Sequence, residues 1–211
     1  MNAPRRRYST GLQFLDRRVD GGLAAGTMLA LVAPAHSQSA LILRQLLCSR
    51  QTLHVSTLRP EKEVRAWATD GAATPPELAV FHASPEELCS EFERVESAIP
   101  PESFVMFDRV NGLEAADREA YLEVLDRLKT KLEEMDSVGI LHCTDTYPSP
   151  EKRGVTLSRA DQVWQLELLP LSRDIKNRLL VTKSRYGRAL REPIDVLLTD
   201  RVEVDTSRRI S

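Results

Sequence analysis

The chain has 211 residues, 42% hydrophobic and 28% charged, with a formal net charge of −2. That is an ordinary globular mixture, long enough for one α/β domain with a well-buried sheet. No apolar run reaches the roughly 20 residues of a bilayer span, and no apolar stretch follows the basic start 1–8 as it would in a signal peptide, so the expectation is a cytoplasmic protein with no membrane partner.

The three cysteines, Cys48, Cys89 and Cys143, are far apart, form no CxxC pair and are accompanied by only four histidines. A disulfide framework or zinc site is not expected, and small buried thiols are the simpler reading.

In chain order, Met28–Ala33, Leu53–Thr57, Leu78–His82, Phe104–Phe107 and Val138–His142 read as short buried strands. Their apolar runs are continuous, as in a parallel sheet covered on both faces. Helical patterns lie between them. Pro60-Glu61 opens one helix. Ser84-Pro85-Glu86-Glu87 opens another, with a Ser cap, Pro at the first position and Glu at the third. Over Asp117–Met135, the residues Tyr121, Leu125, Leu128, Leu132 and Met135 form one helical stripe. Strand and helix in alternation predict right-handed βαβ units. Beyond about residue 160 the pattern changes to extended segments, Gln162–Leu169, Arg178–Ser184 and Pro193–Thr199, with a short one at Asp200–Asp205. These predict strands that extend the sheet, partly antiparallel. Residues 1–8 read as a basic N-terminal tail and 206–211 as a C-terminal tail.

Charge is uneven along the chain. Glu61 to Asp136 carries 19 acidic and 8 basic residues, a net of −11, and Arg173 to Arg191 carries seven basic residues and one acid, a net of +6. The first reads as the solvated face of helices. The second reads as a candidate partner or phosphate surface.

One constellation in fixed order is more specific than any of these patterns. Thr10-Gly11-x-x-x-Leu15-Asp16, then Gly21-Gly22-Leu23 and Gly26-Thr27, precede the first core strand. This order resembles the entry into the core strand of the RecA/RadA/KaiC superfamily, and the resemblance continues to the C-terminus. The loop Pro34-x-x-Ser37-Gln38-Ser39 is similar to that of small archaeal KaiC-like proteins. The resemblance implies a single RecA-like domain over residues 1–211. Its fold would be that of P-loop NTPases, a mainly parallel central sheet flanked by helices. Relatives of this kind bind ATP with Mg²⁺.

A working phosphate loop reads G-x-x-x-x-G-K-[ST]. Its glycines let backbone amides close on phosphate, its lysine reaches the β and γ phosphates, and its hydroxyl holds Mg²⁺. Here the aligned stretch is Ala33-Pro34-Ala35-His36-Ser37-Gln38-Ser39-Ala40. Ala33 and Gln38 stand for the glycines, Ser39 for the lysine and Ala40 for the hydroxyl. Sliding the frame by one places Ser39 at the hydroxyl position, but Gln38 then stands for the lysine and no glycine is recovered. Losing both lysine and metal removes several kcal/mol of charge stabilisation, as an order of magnitude. The helix N-terminus still favours an anion, and Ser37 is expected to cap that helix.

Other positions follow from the same resemblance. The water-activating carboxylate of the superfamily falls on Leu58 and Arg59, and Glu61 beyond them is better read as a first-turn helix acid. Asp108, closing Phe104–Asp108, matches the Walker B aspartate that holds Mg²⁺, or else caps a local turn. His142 closes the strand facing the γ-phosphate side, where it and Asp145 could contact a ligand. Lys183 and Arg185 match the basic pair that reaches a neighbouring subunit's nucleotide in ring-forming relatives.

The sequence therefore predicts a non-catalytic RecA/KaiC-like domain, a pseudo-ATPase serving as a regulatory or assembly subunit. A protein partner or a second copy of the chain is expected. No residue is assigned a catalytic or metal-binding role, and no cofactor is assigned beyond ATP/Mg²⁺ as the ligand of relatives. Two alternatives stay open: a divergent ATP-binding switch or ATPase, resting on Asp108 and the basic pair, and a nucleic-acid-binding accessory protein of recombination or transcription.

Overall fold

In the strand Thr27–Pro34, alternate side chains feed two separate cores. Leu29, Leu31 and Ala33 join one apolar cluster, while Met28, Ala30 and Val32 join the other. A strand buried on both faces has no polar side, which is why its sequence is a continuous apolar run. The computed structural model describes residues 5–71, 73–171 and 175–205. The predicted tail 206–211, the first half of the predicted N-terminal tail and Arg173 lie outside the described residues.

The chain begins with β1 (Arg7–Tyr8), α1 (Gln13–Arg18) and β2 (Leu23–Ala24), then enters the core through β3 (Thr27–Pro34). Next come α2 (Ser39–Ser49), β4 (Thr52–Ser56), α3 (Glu61–Thr69), β5 (Leu78–His82), α4 (Pro85–Ser90) and α5 (Phe92–Ala98). The middle of the chain supplies β6 (Phe104–Asp108), α6 (Asn111–Ala115), α7 (Arg118–Glu134), β7 (Val138–Asp145) and α8 (Arg153–Arg159). It ends with β8 (Gln162–Pro170), β9 (Ile175–Ser184), β10 (Ile194–Leu198) and β11 (Val202–Val204).

These strands form a nine-stranded sheet in the order β11-β10-β9-β8-β3-β7-β6-β4-β5, with β1 and β2 paired separately. From β8 to β5 every neighbouring pair is parallel. β9, β10 and β11 extend one edge in antiparallel fashion. The α/β architecture and its partly antiparallel C-terminal strands match the sequence prediction. One apolar cluster receives α1, α2 and the C-terminal strands, and the other receives α4, α5 and α7.

Local signals act as the sequence implies. Ser84 and Glu87 form a reciprocal capping box at α4, and the Asp117 side chain accepts the Glu119 and Ala120 amides at the start of α7. Tyr121, Leu125, Leu128 and Leu132 of α7 are buried.

Three expectations change. β5 is not a buried strand: it forms the edge of the sheet, and its residues are half-buried or exposed. Residues 5–8 are not a free tail: β1 pairs with β2, Tyr8 is buried, and Arg7 donates to the Val19 and Gly22 carbonyls. Gly22 sits at φ +108°, and a side chain there would collide with the Tyr8 backbone, so this turn requires glycine. The cysteines are free, but only Cys143 is buried, its thiol pushed up to about 12 by burial. Cys48 and Cys89 are half-buried. No helix among the described residues is long and apolar enough to cross a membrane.

Candidate functional site

Ligands of open α/β sheets bind beyond the C-terminal ends of the strands, where the strand order reverses. Here β3, β6 and β7 end together, with the β3–α2 loop and the segment after β4 folded over them. Their ends surround a cavity of about 160 Å³ lined by, among others, Ser39, Arg59, Asp108, His142 and Thr144.

Strand register brings Asp108 and His142 together. Asp108 of β6 lies opposite His142 of β7, and Ser56 of β4 lies opposite Asp108. The period of two sends Asp108 to the same face as Phe104 and Met106, and His142 to that of Val138 and Ile140. That face also packs α2, so the side chain of its first residue, Ser39, meets them.

The contacts form a chain. His142 Nδ1 donates to Asp108 Oδ1 at 2.7 Å. With that proton on Nδ1, the tautomer leaves Nε2 as an acceptor for the Ser39 hydroxyl, 3.2 Å away. Ser39, Asp108 and His142 are each 5–6% exposed. Arg59 pairs with the other carboxylate oxygen, Asp108 Oδ2, and its guanidinium stacks 4.6 Å from the Trp67 ring centroid. Burial alone would raise the Asp108 carboxyl. The hydrogen bond from His142 and the Arg59 guanidinium beside it outweigh this, and hold Asp108 well below the ordinary carboxylate range.

Beneath the site lies His54 of β4, fully buried, with its ring 5.7 Å from that of Trp67 and neither nitrogen hydrogen-bonded. Its Nε2 is 3.7 Å from Asp108 Oδ2, too far for a hydrogen bond. Burial lowers His54 to about 4, assisted by Arg59 and His142 and opposed by Asp108, so at neutral pH the ring carries no charge to pair with.

Several sequence expectations land differently. Ser37 is not the N-cap of α2: Gln38 holds that place without a side-chain cap bond, and Ser37 Oγ accepts from the Ser39 amide only at 3.4 Å. The loop spends its own geometry on a turn, with the Ser37 amide donating to the Pro34 carbonyl. His142 does not end its strand, since β7 continues to Asp145, and it is engaged inward. Asp145 is exposed and takes no part. Asp108 caps no turn; its side chain is enclosed between His142 and Arg59. Glu61 accepts from Arg65 one helical turn along, as a first-turn acid would.

Lys183 and Arg185 are remote from this cavity. β9 runs antiparallel, so its C-terminal end returns to the start of β8, where Gln162 pairs with Ser184 and with Leu29. Lys183 Nζ donates to the Leu157 and Ser158 carbonyls at the end of α8. Arg185 lies 3.4 Å from the buried carboxylate of Asp161. Elsewhere in the +6 stretch, Lys176 and Arg178 both pair with Asp195 of β10.

Arg59, His54 and Thr144 were not singled out as site residues from sequence. In the sequence Arg59 stands where the resemblance places a carboxylate. A cation at that position, with an acid closing the neighbouring strand, was the available signal. Among the described residues no cluster of His, Cys, Asp and Glu is arranged to hold a metal.

The strand order, the loop between β3 and α2 and the cleft over the strand ends define a RecA-type α/β domain. A KaiC-like protein from the hyperthermophilic archaeon Pyrococcus horikoshii OT3 superposes with a TM-score of 0.77 at 19% identity, over 95% of this chain and 99% of that one. At that identity the likeness speaks for the fold. Residues 7–211 match the model of a family described as a family of unknown function, DUF7125, and the chain belongs to that family. No curated protein matches it.

Proposed function

We propose that this is a RecA/KaiC-like pseudo-ATPase, a domain that keeps the architecture of a nucleotide-binding fold without binding Mg²⁺-ATP, and that it serves as a regulatory or assembly subunit. The observation that carries this reading is the state of Asp108. A Walker B carboxylate must offer an oxygen to the metal's water shell, but here Oδ1 takes the His142 hydrogen bond and Oδ2 the Arg59 ion pair. Arg59 does locally what a magnesium ion would do, neutralising the buried carboxylate. Its position in sequence is the one where the water-activating carboxylate was expected, so one substitution removes the base and supplies the counter-charge. The lysine position carries Ser39, whose hydroxyl faces a histidine.

An assembly role is supported by Leu58 and Tyr147, large apolar side chains that stand 65% and 103% exposed in the loops that follow β4 and β7. The nucleic-acid alternative has less support, because the cations of the +6 stretch named above are engaged within the chain.

Isothermal titration of the full chain with ATP and Mg²⁺ tests the proposal. The expected result is no metal-dependent heat of binding. Saturable binding that is lost on chelating Mg²⁺ would overturn it.

A further inference from the structure

Ser39, His142 and Asp108 stand in the relationship of a nucleophile, its base and the group that orients the base. We propose that Ser39 is an activated nucleophile and that the cavity above it accepts the acyl group of a short carboxylic ester. Nucleophile triads are recognised by geometry and roles rather than by sequence position, and the distances here fit those roles. The 3.2 Å from Ser39 Oγ to His142 Nε2 is at the edge of hydrogen-bond reach, and the 2.7 Å from His142 Nδ1 to Asp108 Oδ1 fixes the tautomer that leaves Nε2 free to take a proton.

Two further features point to a ligand. Thr144, which lines the same cavity and is only 4% exposed, has a buried Oγ1 with no hydrogen-bond partner. The orphan hydroxyl is a buried polar group that an occupant of the cavity would satisfy. Ser39 is also the first residue of α2, an eleven-residue helix. The amide of Ala40 therefore has no intrahelical acceptor and lies beside the nucleophile, where an oxyanion would form. A cavity of roughly 150 Å³ takes a benzene-sized guest, so the 160 Å³ here suits a short acyl chain. Arg59 keeps Asp108 ionised. It also cancels part of the stabilisation that Asp108 gives an imidazolium, which makes the site a slower one than a triad whose acid is free of cations.

In the reaction, Ser39 Oγ bonds to the ester carbonyl carbon while its proton passes to His142 Nε2, and the carbonyl electron pair moves onto oxygen beside the Ala40 amide. As that pair returns, the bond to the leaving alkoxide breaks and the alkoxide takes the proton from His142. Water then bonds to the acyl carbon as His142 Nε2 takes its proton, the bond to Ser39 Oγ breaks, Oγ takes that proton back from His142, and the carboxylic acid is released. The inference goes beyond the pseudo-ATPase reading and does not depend on it; ATP titration and serine labelling can fail independently.

The test is covalent labelling of the full chain with a small alkyl fluorophosphonate, in which Ser39 Oγ displaces fluoride, followed by peptide mapping. The expected result is one modified residue, Ser39, with p-nitrophenyl acetate turnover lost in parallel. Ser39→Ala abolishes both, and His142→Asn slows labelling by about a hundredfold or more. Wild-type protein unfolded in urea is a comparison that needs no variant: labelling of Ser39 must vanish there, because the triad exists only in the folded chain. No modification of the folded wild type, modification elsewhere, or equal labelling of Ser39 in urea overturns the proposal.

Discussion

His142 Nδ1 lies 2.7 Å from Asp108 Oδ1 because β6 and β7 are parallel neighbours in which these two residues are register partners. The contact is thus built into the sheet, and loop movement alone does not break it. It also makes Asp108 a structural ion whose two oxygens are both in use.

Asp108→Ala leaves Arg59 and His142 without their acceptor. The expected cost is about 1.5–3 kcal/mol, the range for hydrogen bonds to charged groups, read as a lower denaturant midpoint with unchanged slope. Asp108→Asn keeps the shape and is expected to lose less. An Asp108→Ala chain as stable as the wild type would show that the carboxylate is held free.

Acid sensitivity follows from His54 and Asp108. His54 in the folded chain titrates at about 4, below its ordinary 6.5. Between those values the unfolded chain binds a proton that the folded chain refuses, so stability falls as pH drops through this window, by on the order of 3 kcal/mol in total. Asp108, Arg59 and His142 face His54 across the sheet ends, and the depressed Asp108 adds loss of the same sign below the ordinary carboxylate range. His54→Leu replaces a ring with no hydrogen bonds, and is expected to flatten the dependence of the urea midpoint between pH 6.5 and 4.

A second buried charge pair joins Glu114 and Arg153. Glu114 accepts from Arg153 through both carboxylate oxygens, at 2.7 and 2.9 Å, and Thr156 donates to it at 2.6 Å. The pair ties α6 to α8, and Arg153 also donates to the Thr144 carbonyl at 3.0 Å. Both side chains are buried, so Glu114→Ala strands a cation and is expected to cost about 3–5 kcal/mol. A thermal melt checks it, and a shift under two degrees would contradict the pairing at a size of about 2–4 °C per kcal/mol.

Gly22→Ala is expected to destabilise by more than about 1 kcal/mol, because its φ of +108° is strained for any side chain and the added carbon meets the Tyr8 backbone. The same substitution at Gly154, where a Cβ meets nothing, is the matched control and is expected to be neutral or slightly stabilising in calorimetry.

Lys183→Ala tests the placement of the basic pair. Its ammonium satisfies two carbonyls at the C-terminal end of α8, so the expected effect is a stability loss of about 0.5–1 kcal/mol. A large effect on binding a partner, with stability unchanged, would instead return Lys183 to a surface role.

By itself the sequence determined the architecture. Continuous apolar runs at β3, β4, β6 and β7, the stripe of α7 and the capping box at Ser84 are local signals, and each is repeated in the structure. The glycines before β3 were legible as landmarks, and the φ of Gly22 supplies their physical reason. Asp108, His142 and Ser39 were also legible, but singly, as positions in a resemblance to nucleotide-binding relatives. Their roles were not legible, because a role depends on which side chains share a face and a register, and these three are separated by long stretches of chain. Only the tertiary structure decided that Asp108 is paired with Arg59, that His142 faces inward to Ser39 instead of closing its strand, and that an antiparallel β9 carries Lys183 and Arg185 to the far end of the sheet. The reason is the parallel crossover. It places residues distant in sequence side by side, and it fixes which face each one meets.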